Sequence, residues 1–351
     1  MKASTTRRPR GGGRGKRAPV RPTQKDIAAA AGVSQAAVSL VLNKAETPSV
    51  PAATRERILK LAGELGYQPN HPARMFRSAR TMALACVIPD ITNPFYPGLV
   101  RGLQSVAAPA GYDVLIFDTD GTPEGEARAV NWLLQGRADG VVATFFHLRI
   151  PELTMLARTG IPLVRLESQH KAEGPLPIDS VYIDNMEAAA SMTRFLIARG
   201  HRRIAMILAE FGPGKRRALG YTTVMREAGL APEFVTDRAY SEESGARAMQ
   251  SLLATKRDRP TAVFGASDVL ALGAMEAARS AGLAVPDDIA IVGFDDIPAA
   301  RLLGLTTVRQ PEFDLGALAA KTLVKRLQPG GLEAPGKSHE LKFEIIKRMS
   351  A

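Results

Sequence analysis

The chain has 351 residues, 45% of them hydrophobic, which suffices for about two domains with cores of their own. Its formal charge is +11, yet residues 1–80 hold 16 Lys/Arg against 4 Asp/Glu, leaving 30 against 31 of the chain's 46 and 35 for everything after them. The single cysteine, Cys86, excludes an intramolecular disulfide; no run of about 18 apolar residues is present to span a membrane; and the Gly/Arg-rich start lacks the apolar stretch of a secretory signal, so a cytoplasmic protein is expected.

Positive charge confined to one quarter of a chain is the electrostatic footprint of a polyanion binder. Residues 1–22 are Arg, Gly and Pro rich and read as a disordered basic tail. "GGGRGKR" within it fails as a phosphate loop, because no Ser or Thr follows Lys16 and no strand precedes it. Three short helices follow, about 24–31, 35–43 and 52–65, forming a headpiece over 23–67. Thr23 with Asp26 makes a capping box, Gly32 ends the first helix, and Ser34 caps the second. Ile27, Ala28 and Ala31 share one face; Val38, Val41 and Leu42 share another. Two short helices meeting at a glycine turn form a helix-turn-helix pattern.

The second helix carries Gln35, Ala36, Ser39 and Leu40 outward, with no charge until Lys44. Short neutral side chains are what a helix needs to enter a major groove and sort base edges, while charge belongs on the flanks, where the phosphates are. Residues 68–81 form a basic connector with a short helix expected near 72–77.

From Met82 the rhythm changes. Strand-like runs ("ALACVI", "DVLIF", "GVVAT", "PLVRL", "SVYID", "RIAMIL", "TAVFGA", "IAIVGF") alternate with helices of about 10–17 residues, which predicts parallel sheets built from βαβ units. "QPGGLEAPG" (328–336) reads as a late linker and "HELKFEI" (339–345) as one last strand. Ligands in open α/β sheets bind outside the carboxyl ends of strands. Those ends are Pro89-Asp90, Glu167, Phe211–Arg217, Ser267-Asp268 and Phe294-Asp295. The five histidines are scattered, and no nucleophile elbow, paired cysteine ligands or dinucleotide fingerprint appears, so neither an enzyme nor a cofactor is expected. A cytosolic sugar-binding protein or an enzyme on the same core, without a DNA role, are the alternatives.

"TQKDIAAAAGVSQAAVSLVLN" (23–43) and "TRERILKLAGELGYQPN" (54–70) resemble the headpiece of the LacI family of bacterial transcription regulators. "VIPDITNPFY", "IDN", "GHRRIAMI", "DVLALGAMEAARSAGLAVPDDIAIVGFDD" and "LTTVRQP" match family landmarks in order, so the resemblance covers nearly all of 23–351. It implies an all-α helix-turn-helix headpiece joined to a periplasmic-binding-protein-like core of two doubly wound parallel-sheet subdomains. Their expected extents are about 82–180 with 309–329, and 181–308 with 338–351.

By position in the family pattern, Gln35 and Ala36 read bases. Leu40 stands where many members have arginine; it either reads a base or packs on the headpiece. Thr23, Ser34 and Ser39 contact phosphates. In the hinge segment Arg74, Arg77 and Arg80 face phosphates. Phe76 takes the minor-groove wedge position, against the alternative of burial on the core; such a wedge kinks the duplex. Arg217 and Asp295 are the matching effector-contacting pair. Ser267 replaces a frequent asparagine, Asn93 and Phe95 line the other lobe, and Glu167 is a further candidate. Asp268 reads as a helix-cap or ion-pair residue. The resemblance implies a homodimer on a double-stranded, near-palindromic operator, controlled by a small sugar-like effector, most simply as a repressor.

Overall fold

The computed structural model describes residues 22–42, 50–67, 80–166, 176–254 and 259–351. It divides into a helical unit within the first 79 residues and an α/β unit from Arg80 onward.

In the helical unit α1 (Gln24–Ala31), α2 (Gln35–Leu42) and α3 (Ala52–Glu64) enclose Ile27, Ala28, Ala31, Val38, Val41, Ile58 and Ala62. These are the apolar positions whose helical spacing places them on one side of each helix. The Thr23 backbone N–H and its Oγ1 both donate to the Asp26 carboxylate, at 2.7 and 2.8 Å, which holds that carboxyl below its ordinary range. Gly32 turns the chain with a left-handed φ of 62°, which costs a residue without a Cβ nothing. Ser34 Oγ then accepts the Ala37 N–H at 3.2 Å and starts α2.

The α/β unit holds two six-stranded sheets. The first contains β1 (Ala83–Ile88), β2 (Asp113–Asp118), β3 (Gly140–Ala143), β4 (Leu163–Leu166), β5 (Ile178–Ile183) and β11 (Ser338–Leu341), in the order β2-β1-β3-β4-β5-β11 and wholly parallel. The second contains β6 (Ile204–Ala209), β7 (Glu233–Asp237), β8 (Ala262–Gly265), β9 (Ala290–Asp295), β10 (Thr306–Arg309) and β12 (Glu344–Ile346), in the order β7-β6-β8-β9-β10-β12, with β12 antiparallel to β10. Both repeat the 2-1-3-4-5 order of a doubly wound sheet, so each has its switch point beside its first strand. β1 is buried along its whole length, as a near-continuous apolar run between two parallel neighbours must be.

Helices cover the sheets: α4 (Phe95–Ala107), α5 (Pro123–Leu134), α6 (Ile150–Arg158), α7 (Asn185–Ala198), α8 (Gly214–Glu227), α9 (Glu242–Ala254), α10 (Asp268–Ser280), α11 (Pro298–Leu302) and α12 (Glu312–Arg326). α12 packs on α4 and on β3, β4 and β5, so the chain returns to the first lobe after β10. Gly102 and Gly316 let those two helices touch: a Cβ on Gly102 would overlap the Phe313 carbonyl, and one on Gly316 the Leu99 carbonyl. The lobes are therefore joined by three crossings, after β5, after β10 and between β11 and β12. Among the described residues no single helix is long and apolar enough to cross a membrane.

Three expectations are corrected. "HELKFEI" is two strands: 338–341 extends the first sheet beside β5, and 344–346 pairs with β10 in the second. Residues 338–341 thus leave the lobe expected for them, as do 181–183, which end β5. The stretch 328–336 is a clasped loop. Buried Arg326 forks onto buried Asp179, with both N–O distances 2.8 Å, and donates to the carbonyls of Gly331, Ala334 and Pro335. Finally, residues 80–82 belong to the core: Asp139 accepts from Thr81 N at 2.6 Å and Met82 N at 3.0 Å.

Candidate functional site

On the helical unit, Gln35, Ala36 and Leu40 are exposed on α2, while Val38 and Val41 face inward. Leu40 lies outside the buried headpiece core and is 37% exposed, partly covered and partly open to a partner. Ser34 is exposed at the N-terminus of α2, and Thr23 is exposed at that of α1 with its hydroxyl proton already given to Asp26. Ser39 is half-buried. Arg74, Phe76 and Arg77 lie outside the described residues, as do the basic tail 1–21 and Glu167. Arg80, expected on a phosphate, docks instead on the core: one terminal nitrogen donates to the Leu327 carbonyl at 2.6 Å and the other to the Tyr112 hydroxyl at 3.2 Å.

In the α/β unit, the carboxyl ends of β1, β2 and β3 face those of β6, β7, β8 and β9 across a cavity of about 320 Å³. Asn93, Phe95, Arg217, Ser267 and Asp295 all line it, so the structure brings together five of the six expected effector residues.

Arg217, on the first turn of α8, is 1% exposed. Its Nε donates to Asn185 Oδ1 at 2.8 Å, Nη1 donates to the Ala266 carbonyl, and the guanidinium lies 3.6 Å over the Phe294 ring. Asp295 Oδ1 sits 3.6 Å from Nη1 and accepts the Gln310 amide N–H at 2.7 Å. Fork, ring and carbonyl fix the guanidinium plane, and Nη2 makes no hydrogen bond within the protein. The Asp295 carboxylate is held by the Gln310 amide and by the Asp268 backbone N–H, and it borders the cavity beside Arg217. A charged donor and a charged acceptor therefore stand together at the cleft floor.

Burial pushes the Asp295 carboxyl up to about 6, against the lowering effects of Arg217 and Gln310. Its backbone φ of 121° is a region a side chain rarely adopts, the kind of strain that persists where surrounding structure over-determines it. Asp268 stays out of the cleft, though not as the cap or ion-pair residue expected: Ser267 caps α10, and the donors to Asp268 are neutral. Wholly buried, it accepts Thr307 Oγ1 at 2.6 Å and Ile297 N at 2.9 Å, and burial followed by the nearby Asp295 raises its carboxyl well above the ordinary range. Ser267 lines the cavity and its Oγ caps α10 through Leu270 N, at 3.4 Å. Asn93 Oδ1 accepts the Phe95 N–H at 3.1 Å, and Phe95 meets Tyr96 edge to face at 5.2 Å.

Sequence reasoning missed the roof. After β3 the chain reads Phe-Phe-His, and buried Glu126 of α5 accepts three successive backbone N–H groups there: Phe146 at 2.5 Å, His147 at 3.1 Å and Leu148 at 2.8 Å. This aims Phe146 at Tyr240, which follows β7, with centroids 6.2 Å apart, and His147 at Phe211, which follows β6, at 4.5 Å. Phe146 and His147 lie in the loop just after a recognised strand, so the strand-end rule could have found them. Tyr240 follows a strand whose sequence, "EFVTD", carries no apolar run.

A helix-turn-helix unit with a short-chained neutral second helix, in one chain with a two-lobed core around a polar cleft, defines a ligand-responsive DNA-binding protein. Residues 23–70 match the family described as bacterial regulatory proteins, lacI family, and residues 193–351 match a periplasmic binding protein-like domain. The HTH-type transcriptional regulator RegA of Clostridium saccharobutylicum is 34% identical over 93% of this chain and 98% of its own. The repressor CytR of Escherichia coli K12 is 33% identical over 93% and 96%. Among solved structures, the lac repressor dimer bound to operator and an anti-inducer superposes with a TM-score of 0.81 at 25% identity, covering 94% of this chain and 99% of that one. The transcriptional regulator CelR in complex with cellobiose gives 0.66 at 31% identity, over 94% and 100%. This chain belongs to the LacI family: it is a DNA-binding transcriptional regulator, and the relatives compared are regulators rather than enzymes.

Proposed function

We propose that the protein is a cytoplasmic repressor that binds a near-palindromic operator as a homodimer, and that a sugar or sugar derivative in the cleft sets its affinity for DNA. Gln35, Ala36 and Leu40 read base edges; Thr23, Ser34 and Ser39 contact phosphates beside them. The observation that carries the effector reading is the charged pair lining the cleft floor, the Arg217 guanidinium with its Nη2 unbonded within the protein and the Asp295 carboxylate beside it. A fixed donor beside an acceptor suits neighbouring hydroxyls, each of which both gives and takes a hydrogen bond. Control of DNA binding then requires only that the effector favour one arrangement of the lobes over the other.

The test uses the full chain. A mobility-shift selection from genomic fragments should yield an inverted repeat bound by two protomers, with log affinity falling linearly in log salt. A thermal-shift screen of sugars and their derivatives should find a ligand that changes that affinity. Arg217→Ala should weaken the ligand by roughly one to two decades, since a charged hydrogen bond contributes about 1.5–3 kcal/mol, and should leave ligand-free operator binding intact. Ligand binding unchanged in a folded Arg217→Ala protein would place the effector elsewhere.

A further inference from the structure

We infer that the cleft selects an uncharged ligand that joins a vicinal diol to a flat unsaturated ring, the chemistry of a nucleoside, and that Phe146 and Tyr240 recognise the ring. The inference rests on the cleft being the effector site and names what that site takes.

The floor accounts for the diol, through Arg217 Nη2 and the Asp295 carboxylate. The lining is also aromatic, with rings from both lobes: Phe146 from the loop after β3, Tyr240 from the loop after β7. A planar group between two ring faces needs about 7 Å, two contact distances of ~3.5 Å. Phe146 and Tyr240 stand 6.2 Å apart and tilted by 50°, so a relative movement of about 1 Å and a levelling of the rings would make the slot. The rings are braced for this from behind. Glu126 holds the Phe146 backbone, and the Phe146 ring lies against Gly212, where a Cβ would come within 2.9 Å of it. The Tyr240 hydroxyl accepts the Gly214 N–H at 3.0 Å, which ties that ring to the start of the helix bearing Arg217. The Tyr240 side of the slot is thus held in one frame with the floor, and the Phe146 side moves with the first lobe.

Charge decides against an anionic ligand. The lining contains Asp90, Asp120 and Asp295 against Arg217 and Arg238; Arg217 is already committed to Asp295, and Arg238 is exposed. The first lobe contributes two carboxylates and no cation to the lining. A phosphate monoester would enter a site with an acidic balance and no free buried cation beyond Nη2, and would meet two carboxylates on the facing lobe. The cavity of about 320 Å³ lies at the small end of ligand pockets, suited to one or two rings.

The experiment titrates the full chain calorimetrically with adenosine, guanosine, cytidine and uridine, with D-ribose, and with the 5′-monophosphate of the tightest nucleoside. At least one nucleoside should bind, ribose at least tenfold more weakly, and the monophosphate more weakly again. Phe146→Leu and Tyr240→Leu should each weaken the nucleoside about tenfold, the scale of lost base–aromatic stacking, and leave ribose unchanged. Leucine keeps apolar bulk at both positions, and thermal melts confirm the fold. Three results overturn the inference: no nucleoside binding at millimolar concentration, free monosaccharides binding as well as nucleosides, or the Leu variants binding nucleoside like wild type. Arg217→Ala separates this failure from that of the site itself. If it abolishes binding of whichever compound binds, the cleft stands and only the ligand class falls; if it has no effect, the cleft reading falls too.

Discussion

Replacing Glu126 by glutamine removes one charge from beneath the cleft roof while nearly conserving shape. The carboxylate is 1% exposed and accepts the N–H groups of Phe146, His147 and Leu148 on its two oxygens. A carboxylate offers acceptors only; a carboxamide offers one acceptor and a donor. In Glu126→Gln two of the bonds lose charge assistance, about 1 kcal/mol each, and one N–H faces another donor, at about 1–3 kcal/mol. The sum is about 3–5 kcal/mol, or roughly 5–10 °C in the melting of a domain this size. The roof then has to be ordered by the ligand itself, at about 1–2 kcal/mol per backbone residue, so effector affinity should fall by an order of magnitude or more. Calorimetry measures the first and titration of the screened effector the second. A melting temperature and affinity both equal to wild type would show that the buried carboxylate does not hold the loop, and the account of the roof would be wrong.

Asp295 supplies a pH prediction. Its carboxyl stands at about 6 rather than 3.8, so the folded state holds the proton more tightly than the unfolded chain does. The resulting stability is fully present below the unfolded value of 3.8 and lost as pH rises through 6; between pH 4 and 7 wild type should lose about 2.5 kcal/mol relative to Asp295→Asn in urea titrations, and parallel curves would refute the buried-acid assignment. Gln35→Ala should relax operator specificity at one symmetric base position, at about 1–3 kcal/mol, as read by selection from randomised sites; uniform weakening on every sequence would make Gln35 a phosphate contact instead. Arg326→Met should leave Asp179 buried without its partner and destabilise the core by about 3–5 kcal/mol in chemical denaturation, and a change under 1 kcal/mol would show that the clasp is replaceable.

The sequence was most legible where periodicity and burial coincide. The headpiece helices begin and end where Thr23, Gly32 and Ser34 place them, because caps and left-handed turns are local chemistry. The inner strands β1, β3, β4, β8 and β9 announce themselves as apolar runs. β7 does not: it is an edge strand whose residues are exposed or half-buried, so "EFVTD" has no reason to look like its neighbours. The 338–346 segment misleads for another reason. Alternation continues through Lys342 and Phe343, but alternation reports which way side chains face, not which strand lies alongside, and the partner changes from β5 to β10 between Leu341 and Glu344. In the cleft, the charged pair was accessible through family position, whereas the roof depends on Glu126, twenty residues from Phe146 in sequence and joined to it only by the folded βαβ unit.

The same dependence on tertiary structure explains how the cleft floor meets the joints between lobes. Arg217 is held through Nε by Asn185, the first residue of α7 and therefore the residue at which the chain leaves the first sheet after β5. Asp295 is held by Gln310, which follows β10 at the second crossing, just before α12 returns to the first lobe. The donor and the acceptor that face the ligand are thus each braced by a side chain on a different crossing. Both Asn185 and Gln310 are nearly fully buried, so neither bond can be exchanged for solvent without moving backbone. On the effector reading, a ligand that draws Nη2 and the Asp295 carboxylate toward its own hydroxyls loads these two bonds, each of which ends on a segment joining the lobes. Conversely, any rotation of the lobes that shifts Asn185 or Gln310 alters the spacing of the pair at the floor. The effector reading therefore predicts that binding and lobe orientation are coupled through two hydrogen bonds of 2.8 and 2.7 Å, and that Asn185→Ala or Gln310→Ala weakens the effect of ligand on operator affinity.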